Sequence, residues 1–442
     1  MKLPRKLRFL RLRAAAPLAA PLLAAVLLAC RLTAGPPPKP SPAPLPSNPS
    51  ALAGGSGAPA TQASLPRLAP TGPTQTPVLP PSPSPSPTFL ARLPVELPRI
   101  RSQNLANFRP LARLGTGHAL PFTGIGISQD GQFLAAVDCS QGLQLWEVAS
   151  GESLQVQAAE DQTACQGSWP VIFSPAGRVL VTALTQAGRA ERAAGLQVWT
   201  LSPYFGARPA QTLSATRKTV SSLAFSPDGR LLVAGTTENQ AIFWFFTDPI
   251  DPAAGLTELG VLPHGDWVTS VAISPDGRLL ATASAEQTGG AEPSGSGFTP
   301  LIQLWKVSSL LLGKLEEVRP TAVLSTLAGP IRQLAFSPDS RLLAAAGEVV
   351  TIWETAGGEQ AANLEGTADS LAFSPDGALL ASGGQAGLSL WDLQAALKGD
   401  PQSQSTFLSP GGEIEQLAFV PDGRSLAVLS ADGSLWLWGV AP

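Results

Sequence analysis

From about residue 100 onward, short apolar runs alternate with polar clusters, and the clusters recur as near-copies of one tetrad. The clearest are Ser226-Pro227-Asp228-Gly229, Ser274-Pro275-Asp276-Gly277 and Ser374-Pro375-Asp376-Gly377. Weaker copies begin at Ser128, Ser174, Ser337 and Val420, which makes seven. Each tetrad reads as a tight turn: Pro presets φ, Asp hydrogen-bonds its own backbone and Gly accepts positive φ. The run before each turn ends in a large residue, namely Ile127, Phe173, Phe225, Ile273, Phe336, Phe373 or Phe419. The residue before that is small in six copies, Gly126, Ala224, Ala272, Ala335, Ala372 and Ala418, and only Ile172 breaks the series. A second strand follows each turn, such as 230–235 or 278–283, and a third ends in Trp146, Trp199, Trp244, Trp305, Trp353, Trp391 or Trp438. These tryptophans are assigned to core packing.

Alternation of large and small residues suits a strand covered on both faces where sheets converge on an axis, so the pattern predicts an all-β, seven-bladed β-propeller. Repeats of this period outrank any local reading of the fold. The last copy stops at Trp438-Gly439-Val440, one strand short of a four-stranded blade, while Phe108 to Leu114 precedes the first copy and has strand character. This segment is expected to supply the missing outer strand, which joins the two ends of the ring and removes an exposed edge.

The pattern resembles the WD-repeat (WD40) family over Phe108 to Pro442. In that family a Gly-His lies ten residues before the turn; here His118 and His264, the only two histidines, stand ten residues before Ser128 and Ser274. The resemblance implies a structural hydrogen-bond network of His264 with Thr282, Glu286 and Trp305, and of His118 with Trp146. The literal dipeptide occurs once, at Trp391-Asp392, with Trp-Glu at Trp146 and Trp353. The resemblance also implies that the loops leading into the first strands and those between second and third strands share one face. Spacing from turn to tryptophan lengthens in blade two (Ala176 to Trp199) and blade four (Asp276 to Trp305), which places insertions at about 185–194 and 287–300 on that face. Such insertions are read either as neutral decoration or as recognition loops. Trp267 beside Asp266, with Arg217 and Lys218 in the matching region of blade three, is a candidate partner-binding cluster; packing of Trp267 under a neighbouring loop is the competing reading. Cys139 and Cys165 fall on the same face in adjacent blades and are expected to form a disulfide.

Composition changes the picture at the N-terminus. Lys2, Arg5, Lys6, Arg8, Arg11 and Arg13 precede an apolar run from Ala14 to Ala29, the form of a signal peptide and too short to span a bilayer comfortably. The run ends Leu27-Leu28-Ala29-Cys30, which resembles the lipobox of bacterial lipoproteins and marks Cys30 for lipidation. A secreted form and an uncleaved anchor are the alternatives. From 30 to 98 the chain is rich in Pro, Ala, Ser, Gly and Thr, a disordered Pro-rich linker that could hold the folded part roughly 200 Å from a membrane. It is read as a tether, with a ligand for proline-binding modules as the minor alternative. The organisation expected is therefore signal peptide 1–29, tether 30–98 and propeller 99–442.

A net charge of −3 with 14% charged residues excludes the basic footprint of a nucleic-acid binder. Chemistry is sparse: both histidines have structural slots, Tyr204 is the single tyrosine, and Ser294-Gly295-Ser296-Gly297 lacks the first glycine of a nucleophile elbow. No His/Cys cluster has metal spacing, and Asp248 and Asp251 read as loop residues rather than calcium ligands. The first-strand positions facing the axis are mostly Ser, Thr, Gly and Gln, with Arg332, Asp369 and Glu415 as exceptions. The reading that follows is a monomeric, non-catalytic protein-interaction scaffold displayed at the bacterial cell envelope, exported and lipid-anchored, with no cofactor. The alternative is an envelope hydrolase, lyase or lactonase acting in the central funnel, which would require carboxylates or arginines to converge there.

Overall fold

The computed structural model describes residues 97–114, 122–138, 142–154, 156, 170–184, 195–202, 206–214, 219–287, 298–312, 315–325 and 329–441. These form seven four-stranded antiparallel sheets, the blades of a propeller. In blades one to six the four strands follow chain order from the axis outward. Their first strands are Phe122–Ile127, Val171–Phe173, Val220–Phe225, Val268–Ile273, Gln333–Phe336 and Ser370–Phe373, and Ile414–Phe419 is that of blade seven. First strands of successive blades pack side by side, and that of blade seven packs against that of blade one, so the ring is closed. Because the strands alternate in direction, the loops into first strands and the second-to-third turns lie on one face, and the Ser-Pro-Asp-Gly turns lie on the other.

The turns hold by local chemistry. In five of them the Ser hydroxyl meets the Asp carboxylate, as between Ser274 and Asp276 at 2.6 Å. The same carboxylate accepts the N–H two residues on, as from Arg278 at 3.0 Å. The Ser274 hydroxyl also holds the Asp276 carboxyl below its ordinary pKa. The tetrad closes on a glycine near φ +70°, a conformation that Ser340 adopts in blade five. Ser340 compensates by accepting the Asp276 N–H of blade four through its hydroxyl at 3.0 Å. The small residue two places before the turn is a matter of clearance between blades. A Cβ on Gly126 would lie 2.7 Å from the Val171 carbonyl of blade two.

The seven tryptophans are buried, and each stands opposite a leucine of the second strand. Two residues beyond that leucine, blades two, four and six carry Thr182, Thr282 and Ser382, whose hydroxyls accept the Trp199, Trp305 and Trp391 indole N–H at 3.0 Å. Blades one, three, five and seven carry Ala136, Ala234, Ala345 and Val428 there, and the buried Trp438 indole N–H has no partner among the described residues. Two features were not foreseen from the sequence. Short helices, Val307–Leu312 and Leu393–Leu397, follow the third strands of blades four and six. The second strand of blade four runs to Gln287 rather than 283 and pairs with a third strand beginning at Phe298, so part of the insertion there lengthens a hairpin.

Phe108–Leu114 is the outer strand of blade seven, antiparallel to Leu435–Val440 with Phe108 opposite Val440 and Leu114 opposite Leu435. Pro110, which lacks an N–H, sits beside a bulge on this outer strand, where a missing donor is tolerated. The residues before it tighten the joint. Ile100 donates its N–H to the Gly423 carbonyl, Arg424 donates to the Leu97 carbonyl at 2.8 Å, and the Phe108 ring meets Phe407 edge-on at 5.1 Å and Trp438 at a tilt at 5.5 Å. Leu105, Phe108, Leu111 and Leu114 are all buried. At about 1.5–3 kcal/mol per buried side chain, these four contribute about 6–12 kcal/mol, as much as the whole stability of a typical domain. Deleting residues 104–116 is therefore expected to abolish cooperative thermal unfolding, and a deletion variant that melts as sharply as the parent chain would disprove the role assigned to this joint.

Candidate functional site

A funnel of about 530 Å³ opens on the axis, lined by the opening residues of the first strands. Five residues before each turn, the strand presents Ser221, Thr269, Arg332, Asp369 and Glu415 to this funnel in blades three to seven. In blades three, four and seven a bulge at this residue takes it out of the ladder and redirects its side chain. Arg332 of blade five forms an ion pair with Asp369 of blade six. Glu413 and Glu415 of blade seven line the same cavity, and burial with Glu413 alongside raises the Glu415 carboxyl above its ordinary pKa. Glu413 was not anticipated, because it precedes its strand and only the path of the loop brings it to the funnel.

One residue deeper, side chains stitch the blades together. The residue four before the turn accepts the N–H of the residue three before the turn in the next blade. The pairs are Ser222 with Val271 (3.1 Å), Ser270 with Leu334 (2.9 Å), Gln333 with Leu371 (2.6 Å), Ser370 with Leu417 (2.9 Å) and Gln416 with Ile125 (2.7 Å). In the sequence these residues read only as polar and axis-facing.

On the face that carries the loops into the first strands, Trp267 is 59% exposed, so packing beneath a neighbouring loop is ruled out. Its backbone N–H donates to the Asp266 carboxylate at 2.7 Å. The loop is pinned to blade three, where the His264 N–H donates to the Asn239 carbonyl at 2.8 Å. The imidazole is held as well. Nδ1 lies 3.0 Å from the Leu262 carbonyl, which can only accept, so Nδ1 carries the proton. Nε2 then accepts from the Thr282 hydroxyl at 2.8 Å, whose oxygen accepts from Trp305. Burial holds the His264 pKa down at about 4 from an ordinary 6.5. Leu408, 85% exposed, lies in the loop from blade six to blade seven on the same face.

Four segments, 207–244, 256–288, 321–353 and 358–392, match the sequence profile of the WD domain, G-beta repeat family. Each begins in or next to the fourth strand of one blade and reaches the second or third strand of the next, an offset that matches the closing strand supplied from the other end of the chain. The chain is a WD40-repeat propeller. A comparison with characterised proteins found no match. In the WD40 frame, His264, Thr282 and Trp305 occupy the positions of the family's internal network. The side chain of Glu286 lies outside the described residues, although its backbone pairs with Thr299. Trp146 is buried, edge-on to Phe122 at 5.6 Å. His118, Cys139, Cys165, Arg217, Lys218 and Cys30 lie outside the described residues, as do 185–194 and 288–297 of the two insertions.

WD40 propellers are usually non-enzymatic. Here carboxylates do converge at the funnel, but Arg332 is engaged by Asp369, and no histidine, cysteine or tyrosine is among the described residues lining it. Asp248 and Asp251 cap their own turn, accepting the N–H of Ile250 and Ala253 at 2.9 and 3.0 Å. The buried histidine sets a pH dependence. Its folded pKa lies below the unfolded value, so the stabilising contribution is complete above pH 6.5 and is lost as pH falls toward 4. A shift of this size is worth about 3 kcal/mol. His264→Ala is expected to remove this part of the acid destabilisation, read as a smaller fall in Tm between pH 7 and 4 than in the parent chain. Equal falls in both proteins would show that His264 does not titrate as described.

Proposed function

We propose that this WD40 propeller is a protein-interaction scaffold displayed at the outer side of a bacterial membrane, lipid-anchored through Cys30 and carried as a monomer on the proline-rich tether. Propellers of this family are commonly protein-interaction scaffolds, and the observation that carries the reading is Trp267. A tryptophan exposed by more than half, on a loop pinned by Asn239 and by the buried His264, costs little entropy to present and much water-exposed apolar surface to leave uncovered. The catalytic alternative, an envelope hydrolase, lyase or lactonase, draws support from the raised Glu415 carboxyl beside Glu413 in a cavity. It has no described base or nucleophile positioned with them.

Capture from solubilised membranes tests the scaffold reading. Trp267→Ala is expected to weaken the captured partner by about 30-fold, the loss of a typical interface anchor. Ile250→Ala, at an exposed residue on the opposite face, is expected to leave capture intact. Equal capture by all three proteins would refute the assignment of this face. The anchor is tested separately: blocking lipoprotein signal peptidase is expected to accumulate a precursor that retains residues 1–29, and unchanged processing would refute lipidation.

A further inference from the structure

The inner edge of each first strand faces the axis, and alternate residues on it direct their N–H away from the second strand. Three residues before the turn that N–H is taken up by a side chain from the preceding blade in the five steps described above. The two remaining steps are consecutive. Blade one carries Gly124 at the accepting position and blade two carries Pro170, and neither has a side-chain acceptor. The N–H groups of Val171 and Leu223 thus have no partner among the described residues, and both residues line the funnel. Two neighbouring donors left facing the cavity favour an acceptor there. Farther around the ring, blade seven presents Glu413 and Glu415, while the one cation among the described residues of the lining, Arg332, is held by Asp369. A simple anion would meet the blade-seven carboxylates unfavourably. A simple cation would leave both donors unmet.

The geometry points to a binding site for a small zwitterion of the amino-acid or dipeptide class. Its carboxylate accepts from the N–H groups of Val171 and Leu223, and its ammonium group faces Glu413 and Glu415. The cavity, about 530 Å³, falls within the range of small-molecule sites. Ser221 and Thr269 line the wall between the two ends and add hydroxyls to it. This goes beyond the scaffold reading and does not depend on it, since the funnel and Trp267 use separate residues.

The test is calorimetric titration of the processed chain with glycine, glycylglycine, L-lysine and L-alanyl-L-alanine, with acetate and methylammonium as single-charge controls. At least one zwitterion is expected to bind saturably and at least tenfold tighter than either control. Gly124→Ser supplies the hydroxyl that Ser222, Ser270 and Ser370 supply elsewhere and should occupy the Val171 N–H. It is expected to weaken that ligand at least tenfold without lowering Tm. Glu415→Gln removes charge from the opposite end and is expected to weaken it comparably, which decides the matter should Gly124→Ser fold poorly. Trp267→Ala is expected to leave the affinity unchanged, so the two readings fail separately. Absence of binding by all four zwitterions, acetate binding as tightly as the best of them, or an affinity untouched by Glu415→Gln would each overturn the proposal.

Discussion

Each blade has apolar side chains on both faces, and this single constraint dictates the ring. Every residue of the second strand is buried in blades three, six and seven, and every residue of the third strand in blade seven. A sheet buried on both sides needs a neighbour on each side. A row of such sheets would end in two apolar faces, and only closure removes both. The apolar clusters follow this logic: one joins blades four and five through Ile302, Leu334 and Trp353, and another joins blades six and seven through Leu390, Leu417 and Trp438. The strand at Phe108–Leu114 completes the same burial at the joint, which is why four side chains there weigh as much as a domain's net stability.

What was legible in the sequence is what local chemistry or simple strand counting determines. Pro, Asp and Gly in a row specify a turn whatever surrounds them, so seven turns stood out even where Ala176 or Val420 replaced a member. The closing strand followed from a deficit: the last copy lacked an outer strand and the first was preceded by one. The histidine of blade four stood at the ten-residue offset, and its threonine and tryptophan partners were implied by the resemblance to WD40 repeats. What could not be read depends on contacts between blades. Ser222, Ser270 and Gln333 are ordinary polar residues until the next blade's N–H is set beside them, and the Arg332–Asp369 pair joins strands that are 37 residues apart in the chain. The helix at Val307–Leu312 has two of its six residues buried, and its short length gives no periodicity from which to detect it.

Where the copies differ is as informative as where they agree. The turns and the tryptophans vary little, because each answers a demand that every blade shares. Polar residues inside the blades vary in an ordered way, with hydroxyls beneath the tryptophans of blades two, four and six and apolar residues in the other four. The axis varies most: hydroxyls in blades three and four, charge in blades five to seven, and no side-chain acceptor at Gly124 and Pro170. A ring of equivalent modules has no direction of its own, so this gradient around the axis gives the funnel distinct sides, and a ligand or partner can be oriented only by such differences.

The core and the recognition face are not independent. His264 stands three residues before Trp267 and belongs to both, since its ring meets Trp305 edge-on at 5.9 Å inside the blade while its backbone N–H fixes the loop to Asn239. The neutral ring works as one link in a directional chain, in which Trp305 donates to Thr282, Thr282 donates to His264, and His264 donates to Leu262. A proton on Nε2 would turn that link from acceptor to donor. The Thr282 hydroxyl would then receive two donors and have to send its own hydrogen elsewhere. That protonation would disrupt the bond between the ring and Thr282 while leaving the backbone bond to Asn239 in place, so the acid sensitivity lies inside blade four rather than in the attachment of the loop.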